Sequence, residues 1–343
     1  MHQMRCAQLV AIAFSSIIAF GAQPSITIAQ KAVIASEIVR IDSPIPGLQL
    51  ALHHRFRRSA HAFRGKVVLI AEGSAVPTAG NAAFKINGVS WMDSLAWSGF
   101  DVWSLDYLGY GESSRYREND LASFRGRASD CANQLVYAVR FILASRRIHK
   151  LSIIGDSFGS LVAGIYASRS PESVDKLILF APITPVAQAK QDQAQTSASQ
   201  FHLVTPEDLW QLYTTWLPKG KYVGIDRAFF LQIWGAKYLD SDRASRQRVP
   251  PSVMVPAGPD LDTIDIEHGR FPYNPALIKA RTLIIFGEWD SVATEEGAKR
   301  LFDLLSSTRD KRRIVIGTGT HVLQLESGRQ ALYREVITFL REK

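Results

Sequence analysis

The chain has 343 residues and a formal net charge of +8 at pH 7, with an isoelectric point near 9.5. Apolar residues make up 46% and charged residues 21%, which excludes a disordered chain and allows a large packed core. Lys and Arg are scattered with no basic block or stripe, so the charge reads as a solvated surface and nucleic acid is not expected as a partner.

At the start, Arg5 precedes an apolar run from Ala7 to Phe20, followed by small and polar residues. That layout is the one of an export signal, and the run is shorter than the roughly 20 apolar residues that span a bilayer. The expectation is a signal peptide over 1–29, cleaved after Ala22 or Ala29, and a periplasmic or secreted product without a stable membrane anchor. Cys6 falls inside that segment, so only Cys131 remains and no intramolecular disulfide is expected. Cys131 occupies a helical position and reads as buried filler.

From there, short Val/Ile/Leu-rich runs alternate with stretches of helical period, the pattern of a mostly parallel, doubly wound sheet covered by helices. Strands are predicted at Leu48–Phe56, Lys66–Ala71, Asp101–Asp106, Leu151–Gly155 and Lys176–Pro182. Helices are predicted around Trp91–Ser98, over Ala122–Ser145 and over Phe158–Arg169. Regularity stops between 184 and 275, with polar Gln/Ala/Ser sequence, a helical pattern at Pro206–Trp216 and a Pro-rich tract around Pro250–Pro259. This stretch reads as an inserted, mainly helical cap that splits one core into 30–183 and 276–343. The second part carries strands Thr282–Phe286 and Arg313–Gly317 and helices Glu295–Ser306 and Gly328–Glu342.

The segment that points to chemistry is Leu151-Ser-Ile-Ile-Gly155-Asp156-Ser157-Phe158-Gly159, in which a strand runs through Gly-x-Ser-x-Gly into a helix. At such an elbow the serine backbone is strained and its neighbours are tightly packed, so glycines are needed on both sides while Oγ projects above the sheet. A hydroxyl is a weak nucleophile at neutral pH and requires a base, itself oriented by an acid. Asp290 follows the strand that ends at Phe286, and His321 follows the last strand on a loop containing Gly317 and Gly319. Both stand where open α/β sheets place their active sites. Ser157 is read as nucleophile, His321 as base and Asp290 as acid. No clustered His/Cys spacing suggests a metal site, and the chemistry calls for no cofactor.

These residues, in the chain order Ser, Asp, His, resemble the α/β-hydrolase superfamily, in particular its capped esterase and lipase-like branch. The resemblance extends over nearly the whole chain after the signal. It includes Asp106-Tyr-Leu-Gly109-Tyr-Gly111-Glu-Ser113, similar to the family's Asp-x-x-Gly-x-Gly-x-Ser loop, which is mainly architectural. It also implies an oxyanion hole from the backbone N–H groups of Phe158 and of Ser74, the latter in the loop Ala71-Glu72-Gly73-Ser74. Many relatives have His-Gly there; this chain has Glu72-Gly73, so Glu72 is either a carboxylate that recognises a polar substrate or a structural acceptor. Serine at 157 argues against the chemistries for which relatives use an aspartate nucleophile.

The expected reaction is cleavage of a carboxylic ester in a small-molecule substrate through an acyl-enzyme. The same triad also suits a lactone, an amide or a C–C bond beside a carbonyl, and a catalytically silent binding protein on the same fold is the alternative of a different class. Trp210, Tyr213 and Trp216 lie at helical spacing in the cap and read either as a substrate-pocket wall or as the cap's own packing face.

Overall fold

The computed structural model describes residues 33–58, 66–117, 125–190, 199–215, 217–308 and 310–343. The expected signal, residues 122–124 of the helix predicted over Ala122–Ser145, and Trp216 lie outside the described residues; residues 125–127 are not helical, Arg127 being extended, and that helix starts at Ala128.

In chain order, β1 (Ile34–Asp42), β2 (Gln49–Arg57) and β3 (Val67–Ala71) precede α1 (Trp91–Trp97). Then β4 (Asp101–Asp106) leads to α2 (Ala128–Arg146), β5 (Leu151–Asp156) to α3 (Phe158–Arg169), and β6 (Val174–Phe180) to the inserted stretch. That stretch holds β7 (Phe201–Val204), α4 (Pro206–Thr214), α5 (Gly235–Leu239), β8 (Val253–Pro256) and α6 (Gly258–Glu267). The alternation resumes with β9 (Arg281–Gly287), α7 (Glu295–Leu304), β10 (Lys311–Ile316) and α8 (Arg329–Arg341).

Eight strands form one sheet in the order β1-β2-β4-β3-β5-β6-β9-β10. β2 is antiparallel to both its neighbours, and every pair from β4 to β10 is parallel. Because successive strand residues point to opposite faces, each central strand feeds two cores. Leu69, Ile153, Leu177, Leu179 and Ile284 pack with α2, α3 and α7, while Val68, Ile70, Ile154, Ile178 and Leu283 pack with α1 and α8. Each fully buried Leu or Ile contributes roughly 1.5–3 kcal/mol of transfer free energy. The chain reverses its winding between β3 and β5, so the crevice at their carboxyl ends is the natural place for a site.

The structure departs from the sequence reading in three places. β1, not predicted, is an edge strand with a largely exposed alternation and no continuous apolar run. The Pro-rich tract around Pro250–Pro259 contains β8, which pairs antiparallel with β7, and the start of α6. Pro256 ends a strand and Pro259 occupies the first turn of a helix, where a missing N–H costs nothing. A π-helical run, Phe229–Trp234, leads directly into α5.

Candidate active site

β5 and α3 meet at Ser157, whose φ of 51° and ψ of −117° lie in a region L residues rarely adopt; such backbone costs on the order of 1–3 kcal/mol and persists only when packing imposes it. The flanking glycines show why. A Cβ at Gly155 would stand 2.6 Å from the Gly159 carbonyl oxygen, and one at Gly159 would stand 1.9 Å from that of Ala71. Strand, elbow and helix are thus packed backbone to backbone. The loop after β3 lies alongside, with a Cβ at Gly73 falling 3.5 Å from the Cβ of Ser157. Phe158 opens α3, so its N–H is one of the four without an acceptor inside the helix.

Ser157 Oγ donates to His321 Nε2 at 2.8 Å. His321 Nδ1 faces Asp290 Oδ1 at 3.0 Å and Oδ2 at 3.1 Å; donation from Nδ1–H to the carboxylate leaves Nε2 as acceptor. Asp290 is itself fixed by the amides of Val292 and Ala293, at 2.8 and 2.9 Å to Oδ1. Its loop and the His321 loop are joined by Trp289 N–H to Gly319 O at 2.8 Å and Glu288 N–H to Ile316 O at 2.8 Å. Burial alone would depress the His321 pKa, but the charge and hydrogen bond of Asp290, with a further contribution from Asp156, hold it above its ordinary value. Conversely, burial raises Asp290, and the imidazole and two amides outweigh that and keep it below the usual carboxylate value. The three side chains anticipated from strand-end positions are therefore brought into one hydrogen-bonded line.

Glu72 is 1% exposed and lies behind this line. It accepts from Asn81 Nδ2 at 2.7 Å and from Ser104 Oγ at 2.6 Å. With both oxygens occupied and no access to the cleft, it takes the acceptor role, and the substrate-contact expectation is corrected. Both of its donors are side chains. Burial first, then the Asp156 charge, push its pKa to about 8. Asp156, between Gly155 and Ser157, also accepts from Asn81 Nδ2, at 2.5 Å, and burial raises it to about 6 despite that bond. Neither Asn81 nor Asp156 stood out in the sequence, because a single buried polar residue has no period and no spacing rule.

The turn after β4 is architectural, as the family resemblance implies. Asp106 accepts from His53 Nε2, Glu112 N–H and Thr78 N–H, each at 2.9 Å. Burial would raise its pKa, but the His53 charge and these bonds bring it down to about 2.

Of the cap aromatics, Tyr213 stands beside the site, its ring centroid 6.4 Å from that of His321. Trp210 packs against Phe230 at 5.3 Å, which stacks on Trp234 at 4.2 Å. Trp234 Nε1–H donates to Gly80 O at 2.7 Å, which joins the inserted stretch to the turn that carries Asn81. Trp210 is thus part of the packing within the inserted stretch, while Tyr213 meets Phe230 edge-on at 6.2 Å and is the one of the two that also stands next to His321. Among the described residues no group of three or more His, Cys, Asp or Glu is arranged to hold a metal, and no helix is long and apolar enough to cross a membrane. Cys131 is buried and unpaired on α2.

The comparisons with known proteins agree with this architecture. A serine hydrolase involved in carbazole degradation, the CarC enzyme, superposes with a TM-score of 0.60 at 19% identity, covering 89% of this chain and 99% of that one. An esterase from Exiguobacterium antarcticum superposes with a TM-score of 0.61 at 16% identity, again over 89% and 99%; at such identities the likeness is one of fold. In sequence, 1-acylglycerol-3-phosphate O-acyltransferase ABHD5 of Rattus norvegicus is 32% identical over 81 residues, 24% of this chain and 21% of that protein. The match thus spans about a fifth of the length of that curated relative. The family model described as the alpha/beta hydrolase fold matches residues 78–328, which takes in the elbow, the acid and the base. The chain belongs to the α/β-hydrolase family.

Proposed function

We propose that this protein is a serine hydrolase that cleaves a carboxylic ester-type bond in a small-molecule substrate. The observation that carries the reading is the line Ser157 Oγ, His321 Nε2, His321 Nδ1, Asp290, with hydrogen-bond distances of 2.8 to 3.1 Å. Ser157 Oγ attacks the carbonyl carbon while its proton passes to His321 Nε2; the carbonyl electron pair moves to oxygen. The resulting oxyanion is held by the N–H groups of Phe158 and Ser74. His321 then returns the proton to the leaving alkoxide, the C–O bond breaks, and an acyl-Ser157 ester remains. Water, deprotonated by His321, attacks that ester and releases the acid and the Ser157 hydroxyl. Asp290 holds the Nδ1–H tautomer and stabilises the imidazolium in both halves. The inserted stretch supplies a wall over the site through Tyr213, and the segment around Ala7–Phe20 directs export.

The test is hydrolysis of short and medium-chain p-nitrophenyl esters by the full chain beside Ser157→Ala, with a fluorophosphonate label located by mass spectrometry. Label on Ser157 and loss of turnover in the variant support the reading. A parallel panel of lactones, amides and vinylogous 1,5-diketones identifies the bond; preference for any of them over esters replaces the ester assignment. No label and variant-independent turnover refute the triad.

A further inference from the structure

Behind the triad, three buried polar side chains from three different segments converge on the carboxamide of Asn81. Asn81, 6% exposed, gives one Nδ2 hydrogen to Glu72 and the other to Asp156, and its Oδ1 accepts from Gln324 Nε2 at 2.8 Å. Glu72 opens the loop that ends at Ser74, Asp156 precedes the nucleophile, and Gln324 lies three residues beyond His321. The carboxamide therefore joins the three segments that carry the oxyanion donor, the nucleophile and the base.

We infer that Asn81 and Asp156 form a positioning unit for the triad, in which Asn81 holds those three segments in register and Asp156 presents a second carboxylate charge to the His321 imidazole. The inference rests on the serine-hydrolase reading. Two features separate it from simple core bonding. Asp156 Oδ1 is buried and finds no donor among the described residues, whereas buried carboxylates that serve only as structural acceptors are usually bonded on both oxygens. The Asp156 carboxylate and the His321 imidazolium favour each other electrostatically. Second, Asn81 has no other acceptor to serve, since both its Nδ2 hydrogens go to carboxylates.

Two buried carboxylates sharing one amide group do not ionise together easily, because each charge opposes the other. The groups facing the pair are Asp106, itself compensated by His53, with Asp290, His321, Tyr107 and the cap residue Tyr213. Glu72 has the Asp156 and Asp106 charges against it, while Asp156 has the imidazole in its favour and only the Asp290 charge against it. Glu72 is thus held further above its ordinary value than Asp156 and is the member of the pair that takes up a proton first as pH falls. His321 is thus flanked by Asp290, through a hydrogen bond, and by Asp156, through space.

The test uses the full chain with Asp156→Asn and Asn81→Ala. With a soluble p-nitrophenyl ester, Asp156→Asn moves the acid limb of kcat/KM to lower pH, because an anion that favours the imidazolium is gone. It also lowers kcat about tenfold with KM within about twofold. Asn81→Ala lowers kcat by about 10 to 100-fold, the range expected when reacting groups shift by up to an ångström, with KM again little changed and the chain still folded by circular dichroism. An acid limb unmoved in Asp156→Asn, or losses confined to KM or to the folded fraction in Asn81→Ala, overturns the inference. To keep its failure distinct from that of the serine-hydrolase reading, the His321 imidazole is also titrated by NMR in a Ser157→Ala background with and without Asp156→Asn. A lower pKa in the double variant supports the unit whatever the turnover shows, and an unchanged pKa refutes it even if esters are cleaved.

Discussion

Replacing Gly159, in the first turn of α3, by Ala runs against the usual preference of helices for Ala over Gly, which reaches about 1 kcal/mol in a helix interior. The added Cβ would lie 1.9 Å from the Ala71 carbonyl oxygen and 2.6 Å from that of Glu72. A carbon and an oxygen settle at roughly 3.3 Å or more, so the backbones must part by more than an ångström. The strand side resists, because Ala71 is paired to both Leu105 and Gly155 and Glu72 is bonded to Asn81 and Ser104. The displacement therefore falls on the start of α3, which carries Phe158 N–H and the Ser157 backbone. Overpacking of this kind costs about 1–3 kcal/mol, and a shift of an ångström at the reacting groups costs about 10²-fold in rate. Urea unfolding of Gly159→Ala beside wild type, with kcat for a p-nitrophenyl ester, measures both. A variant within about 0.5 kcal/mol of wild type with unchanged kcat refutes the close-approach argument, as does one that is more stable.

Asp290→Asn removes the charge that stabilises the imidazolium and permits the wrong tautomer, so kcat falls by about 10³ to 10⁴-fold with KM little altered; steady-state kinetics at pH 8 check this. For Glu72 the folded pKa of about 8 lies above the ordinary 4.5. Its contribution to stability is therefore full below pH 4.5 and is lost as pH rises toward 8, at about 1.4 kcal/mol per pH unit. Glu72→Gln should flatten that loss, and the Tm difference between variant and wild type should grow from pH 5 to pH 8; parallel pH curves contradict the assignment. Lys176 is buried and donates to Phe339 O at 3.0 Å and Leu340 O at 3.1 Å at the end of α8. Lys176→Met leaves those carbonyls with fewer donors and removes a cation from a helix C-terminus, at a cost of about 1–3 kcal/mol in chemical unfolding.

Composition and spacing carry the strand and helix alternation of the core and single out Ser157, Asp290 and His321, which the structure brings into one hydrogen-bonded line. A fully buried strand such as Val67–Ala71 announces itself by its composition, and Gly155, Ser157 and Gly159 announce the elbow by spacing. Asp290 and His321 follow because parallel strands deliver their carboxyl ends to one edge, so position along the chain becomes position in space. The tertiary structure decided what lies behind and above that edge. Glu72 reads in sequence as a substrate ligand or, by preference, a structural acceptor, and the approach of Asn81 and Ser104, nine and 32 residues away, removes it from the cleft. Trp210 and Tyr213 share one helical face and both pack on Phe230, yet only Tyr213 also reaches His321. Local sequence encodes dihedral preference and periodicity; the partner that satisfies a buried polar atom is chosen by the fold, through contacts that no local pattern carries.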